Sequence, residues 1–124
     1  MSDERPTVLL IDDNPDIHAA VREWLRLDGF AVAHAANGLE ALEKLRNGLS
    51  PCVILMDLNM PVMNGFEFRE EQLRHPELSQ IPVVVYSGVV DAPKNAAHLK
   101  AAACAPKPLD FHHLSVLVRQ HCLR

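Results

Sequence analysis

No excess of positive charge, no long apolar run and no cysteine framework mark this chain, and each absence removes a class of function. Asp and Glu outnumber Lys and Arg by 16 to 12, a formal net charge of -4. Nothing in that balance draws nucleic acid or an anionic membrane as a direct partner. No apolar run approaches the ~20 residues that a membrane span needs. The amino terminus, Met1 to Pro6, is polar and acidic and lacks an apolar signal core, which argues against export. Three cysteines, an odd number, argue against a disulfide framework, and a reducing cytoplasm is the default compartment. There are no repeats, linkers or low-complexity segments. The 124 residues therefore read as one domain, which buries about two-thirds of its extended surface.

What is present centres on Cys52 to Gly65. Val53 to Met56 is an unbroken apolar run, the pattern of a strand buried on both faces of a parallel sheet. It stops on Asp57, and Met60-Pro61 and Asn64-Gly65 then punctuate a loop. Open α/β sheets place their ligand chemistry at the carboxyl ends of such strands. A lone Asp there would simply cap its loop.

Taken in order, Thr7 to Ile11 is a first buried strand ending on Asp12-Asp13. Asn14-Pro15 caps a helix with Ile17, Val21, Trp24 and Leu25 on one face, closed by Gly29. At this spacing Trp24 reads as core packing rather than as a binding aromatic. Phe30 to Ala35 is a second strand. Asn37-Gly38 opens a helix that turns Leu39, Leu42 and Leu45 inward and ends at Asn47-Gly48. After the Asp57 loop, Gly65 opens a third helix, with Phe66, Leu73 and either Phe68 or Gln72 toward the sheet. Glu67, Arg69, Glu70, Glu71 and Arg74 form its solvated face.

Ile81 to Tyr86 is the fourth strand, ending on Ser87-Gly88. A loosely held, alanine-rich helix spans about Asp91 to Ala101, with Leu99 its only large apolar residue. Ala102 to Ala105 is a short fifth strand before Lys107-Pro108. Asp110 caps a last helix with Phe111, Leu114, Leu117 and Val118 inward. Five alternations of strand and helix predict an α/β fold, a doubly wound five-stranded parallel sheet with helices on both faces.

Such a sheet brings Asp12, Asp13, Asp57, Ser87 and Lys107 to one edge. Three crowded carboxylates repel unless a cation relieves them. Mg2+ suits them, because it prefers oxygen ligands and takes one or two carboxylates plus a phosphate oxygen. A carboxylate can then act as a nucleophile toward phosphorus, with a lysine and a hydroxyl stabilising the transferred oxygens.

On these residues the chain resembles the receiver domains of two-component response regulators, over essentially its whole length. The resemblance rests on Asp12-Asp13, on Met-Asp-Leu-Asn-Met-Pro-Val-Met-Asn-Gly from Met56, on Ser87 and on Lys107-Pro108. It implies Asp57 as phosphoacceptor and Asp13 as a direct Mg2+ ligand, with Asp12 acting largely through water. Asp57 itself and the Asn59 backbone carbonyl are implied as further ligands. Ser87 is then the switch hydroxyl and Lys107 the phosphoryl clamp, followed by a cis peptide to Pro108. The flavodoxin-like strand order 2-1-3-4-5 is carried over from the family rather than derived. Two positions depart from the family's common pattern. Cys104 stands where many receivers place Tyr or Phe, and Gly88 where Ala is common.

The partner implied is a histidine kinase or histidine phosphotransfer protein. The chain ends with its fifth helix, so no output domain is expected. Output is expected through a protein contact on the face of the fourth helix, fifth strand and fifth helix. An aspartyl-phosphate phosphatase of the haloacid dehalogenase type is the alternative, but Asn59 stands where those enzymes have a second Asp. A flavodoxin is disfavoured by the acidic loop Asp12-Asp13-Asn14-Pro15. The seven histidines form no ligand cluster, and His112-His113 on a helix point apart, so they read as surface residues. Cys104 reads as inert packing, with nothing nearby to lower its pKa.

Overall fold

The computed structural model describes residues 5–87, 97–106 and 110–122, including their side chains except those of Ser87 and Pro106. β1 (Thr7–Ile11) leads through α1 (Pro15–Leu27) to β2 (Ala31–Ala35), and α2 (Gly38–Arg46) leads to β3 (Val53–Asp57). α3 (Gly65–Leu73) and a short α4 (Pro76–Ser79) precede β4 (Val83–Ser87). β5 (Ala103–Pro106) and α5 (Phe111–Cys122) complete the described elements. The strands are all parallel, in the order β2-β1-β3-β4-β5.

Side-chain alternation along the strands divides the core in two. Leu9, Ile11, Ile54, Met56, Val83 and Val85 pack with Leu42 and Leu45 of α2 and Phe68 of α3. Val8, Leu10, Val53, Leu55 and Val84 pack with Val21 and Leu25 of α1 and Leu114 and Val118 of α5. β3 is buried along all five residues, as a central strand covered on both faces must be.

Several faces differ from the sequence reading. Trp24 is 40% exposed, lying over Phe111 with its indole N–H donated to the Ser115 hydroxyl. The indole covers the rim of α5 instead of entering the core. Leu39, Phe66 and Leu73 are also exposed, and the inward residues of α3 are Phe68, Arg69 and Gln72. Arg69, expected on the solvated face, is buried because three acceptors receive it. Its guanidinium donates to the carbonyls of Leu99 at 2.9 Å and Lys100 at 3.0 Å and to Gln72 Oε1 at 2.7 Å. Gln72 in turn donates to the carbonyls of Leu78 and Ile81. The two polar side chains thus tie α3 to carbonyls in the turn ahead of β5 and in the segment around α4. Burial lowers the Arg69 pKa, and a guanidinium tolerates this without losing its charge.

α4 was not anticipated. His75 and Pro76 start it, and the Ile81 N–H donates to Leu78 O, so Ile81 closes a turn and β4 begins later, at Val83. Of the weak fourth helix only residues 97–101 are described. Leu99 is buried as expected, and Lys100 takes a positive φ of 57° before the chain enters β5. No described helix is long and apolar enough to cross a membrane.

The cysteine expectation is corrected. Cys52, just ahead of β3, and Cys122, the last residue of α5, form a disulfide with their Cα atoms 5.0 Å apart. Seventy residues separate them in sequence. They meet because α5 packs back along β3, which no spacing rule reveals. An odd count is satisfied by one pair plus the free Cys104.

Cross-linking a loop of this length restricts the unfolded chain, so its loss should matter for stability. Cys122→Ser, or reduction of the wild type, should lower unfolding free energy by about 2–4 kcal/mol. Urea melts with and without reductant check this, and a Cys122→Ser curve that overlays the oxidised wild type would contradict it.

Candidate functional site

The site is built at the carboxyl ends of β1, β3 and β4. Beyond β1, the Asp12 N–H donates to Ala35 O at 3.0 Å, carrying the ladder one residue past the strand. Asp12 Oδ1 then accepts the Asn14 N–H at 2.7 Å, and Asn14 Oδ1 accepts the N–H of Asp16 at 2.9 Å to cap α1. This local fold follows from Asp, Asn and Pro in succession, each suited to a turn or a helix start. It buries Asp12 and leaves Asp13 exposed. His34 on β2 lies 3.0 Å from the Asp12 carbonyl oxygen, and His18 stacks on it. These two histidines are half-buried, not the surface residues expected. Burial, then the charge of His34, holds His18 below its ordinary pKa. His112 and His113 are exposed, as expected.

Asp57 ends β3 and is 6% exposed. The Asn59 N–H donates to its Oδ1 at 3.3 Å. The loop then returns closely, with the Gly65 N–H donating to Leu58 O at 3.0 Å and Asn64 and Glu67 forming a capping box at the start of α3. Val62, not Asn64 or Gly65, takes the left-handed backbone of this loop, with φ of 68°. Gly65 is required for space instead. A Cβ there would lie 3.0 Å from both Asp57 O and Leu58 Cα.

Strand register aligns the site. Asp57 pairs with Tyr86, and Ile11 pairs with Met56, so Asp12 follows onto the row of Asp57 and Tyr86. Asp12, Asp13 and Asp57 each offer an oxygen within 4.8 Å of the others. That donor set is all hard oxygen, which fits a hard divalent cation such as Mg2+. The sequence reading missed Tyr86, which it counted within an apolar strand. Its hydroxyl donates to Asp12 Oδ2. Burial, then the bond to Asp12, and then the charges of Asp12, Asp57 and Asp13 hold the phenol protonated, well above its ordinary pKa. A phenol in line with Asp57 one residue before a strand-end hydroxyl was the available signal.

Ser87 ends β4 opposite Pro106 of β5, which brings its backbone to the same edge. Its side chain, Lys107, Pro108 and Gly88 lie outside the described residues. Cys104 is partly buried against the α2 and α3 side of the core, and burial raises its thiol pKa. This agrees with packing rather than a reactive thiolate.

The model of the response regulator receiver domain matches residues 8–119. The chain belongs to the response regulator receiver family. The receiver is 42% identical over 90 residues to the nitrate/nitrite response regulator NarL of Escherichia coli K12, covering 70% of this chain and 40% of NarL. It spans 14% to 48% of the length of the first curated relatives it matches. Among solved structures it is similar to the chemotaxis response regulator CheY4 of Vibrio cholerae, with TM-score 0.84 and 29% identity over 94% of this chain and 98% of that one. The receiver domain of sensor histidine kinase PA1611 of Pseudomonas aeruginosa, solved with magnesium in its active-site cleft, matches in fold at TM-score 0.84. That likeness has 21% identity over 94% of this chain and 97% of that one. A receiver is a regulatory phosphoacceptor rather than a true enzyme, and the family implies a histidine kinase as partner.

Because the acids repel, Asp13→Asn should raise the metal-free stability of the receiver by on the order of 1 kcal/mol. Mg2+ at ~100 times its dissociation constant should add ~2.7 kcal/mol to the wild type. Thermal melts with and without Mg2+ test both, and a wild-type melt indifferent to Mg2+ would count against the cation site. Gly65→Ala should cost about 1–3 kcal/mol by pressing on the Asp57–Leu58 backbone. An unchanged denaturation midpoint in that variant would show that the loop yields freely.

Proposed function

We propose that Asp57 receives a phosphoryl group from a histidine kinase or histidine phosphotransfer protein, and that the aspartyl-phosphate alters a protein-binding surface. The observation that carries this is the placement of Asp57, buried at the end of the central strand with oxygens of Asp12 and Asp13 within 4.8 Å. In the transfer an Asp57 carboxylate oxygen attacks phosphorus while the phosphorus–nitrogen bond of the donor breaks, leaving an acyl phosphate and a histidine. Mg2+ supplies charge neutralisation when bound. Asp13 would hold it directly and Asp12 largely through water, with an Asp57 oxygen and the Asn59 backbone carbonyl as the protein's further ligands.

Ser87 and Lys107 take the roles that the family's motif gives to residues at these strand ends. The hydroxyl accommodates the phosphoryl oxygens as the switch, and the ammonium clamps them. Output runs through the segment ahead of β5, β5 itself and α5, and it takes the form of a protein contact in the cytoplasm. Support for a contact comes from the near end-to-end match with CheY4, a chemotaxis response regulator.

Incubation with acetyl phosphate and Mg2+ followed by intact-mass measurement is the direct test. One phosphoryl group per chain should appear in the wild type, vanish in Asp57→Asn and require Mg2+. Lys107→Ala should retain Mg2+ binding while losing the response to phosphorylation. Multiple turnover of a phosphomonoester, with no stable label, would replace this reading with a phosphatase.

A further inference from the structure

The disulfide has no part in the signalling roles above. Cys52 precedes β3, whose far end carries Asp57, and Cys122 is the last residue of α5. Both cysteines are only partly buried, and both pack against the core layer formed with α1 and α5. The third cysteine, Cys104, packs on the opposite layer, with α2 and α3. The sheet therefore stands between the free thiol and the disulfide. Burial also raises the Cys104 pKa, which leaves little thiolate to attack. Exchange within the chain is disfavoured on both counts, and a reductant must come from outside.

The position of the bond decides what its loss releases. Leu114, Leu117 and Val118 are the buried apolar residues of α5, all ahead of its last turn. Beyond them Arg119 and Gln120 are exposed, and His121 and Cys122 are half-buried. Among the described residues, two links other than apolar packing fasten that turn. One is the ion pair of Arg119 with Asp28, the residue that caps α1, and solvent screens it on the arginine side. The other is the disulfide. With the disulfide open, the apolar stretch of α5 stays seated on the sheet and its carboxyl end is let go.

A disulfide in a cytoplasmic protein is characteristically transient, redox-sensing or catalytic rather than a permanent staple. We propose that Cys52–Cys122 is a thiol switch, which a dithiol reductant opens to free the last turn of α5 and a disulfide oxidant closes by the reverse exchange. This rests on the cytoplasmic placement and the output role of α5 given under the proposed function. In the opening step, a thiolate of the reductant bonds to one cysteine sulfur as the Cys52–Cys122 bond breaks. The reductant's second thiol then displaces that cysteine. Two electrons and two protons pass to the protein, leaving two cysteine thiols and an oxidised dithiol. The docked and released forms of α5 then present different faces to a partner.

The intact, folded chain equilibrated in mixtures of reduced and oxidised dithiothreitol, then unfolded and alkylated, reports its thiols by mass. One alkylated cysteine is expected at the oxidised end and three at the reduced end, without denaturant. Hydrogen exchange at residues 119–122 should rise about tenfold on reduction, while the β3 amides keep their protection. Cys104→Ser should keep the exchange response, and Cys122→Ser should exchange like reduced wild type even under oxidising conditions. A bond that opens only in denaturant is a permanent staple and overturns the proposal. Three thiols in every mixture, or unchanged exchange at 119–122 after reduction, overturn it equally. Loss of the response in Cys104→Ser would assign the redox effect to that thiol instead. Acetyl phosphate labelling is read in both redox states. Its absence from both would sink the phosphoacceptor reading and leave the thiol result standing.

Discussion

Mutual repulsion among Asp12, Asp13 and Asp57 is the constraint around which the rest of the domain is arranged. Their oxygens are brought within 4.8 Å of one another, and two of the three residues are buried. Charges that close interact strongly wherever water is excluded. Only a rigid frame keeps them together, and the parallel sheet supplies it. β1 and β3 are neighbours in register, with Asp57 ending β3 and Asp12 directly following β1. A sheet covered on both faces cannot relax by splaying its strands, so the strain stays at the edge, where a cation and a phosphoryl group can relieve it.

Neutral donors share the task. Asp57 accepts from the Asn59 N–H, and Asp12 accepts from Asn14 and Tyr86. These bonds orient the carboxylates and bring no charge of their own. The loop after β3 is fitted to the same end. Gly65 lets α3 start hard against the Asp57–Leu58 backbone, and the capping box fixes the helix direction there.

Periodicity made most of this legible beforehand. The five strands lie within two residues of their expected positions, and the acids at their carboxyl ends were found because a parallel sheet sends those ends to one edge. The errors fall where a side chain's partner is remote in sequence. Arg69 reads as solvated until the carbonyls of Leu99 and Lys100 are seen beside it, and Cys52 reads as a lone thiol until α5 delivers Cys122. Tyr86 looks apolar because its one polar atom is consumed 74 residues away. Trp24 has core spacing, yet its indole N–H needs an acceptor and finds one at the rim. In each case a polar group made a long-range choice that local pattern does not encode.

The Arg69 contact has a mechanical side. Gly65, at the start of α3, touches the backbone of Asp57 and Leu58, and Arg69, four residues on, grips the turn at Leu99 and Lys100 that leads into β5. Four residues of α-helix are about 6 Å of stiff rod. One end of that strut rests on the acid-bearing strand and the other holds the doorway to the fifth strand, so the two places move together or not at all. In a chain whose β5 carries a thiol in place of a ring, this linkage joins the site to the far rim of the sheet through the α3 backbone and the Arg69 guanidinium, with no aromatic ring required to swing.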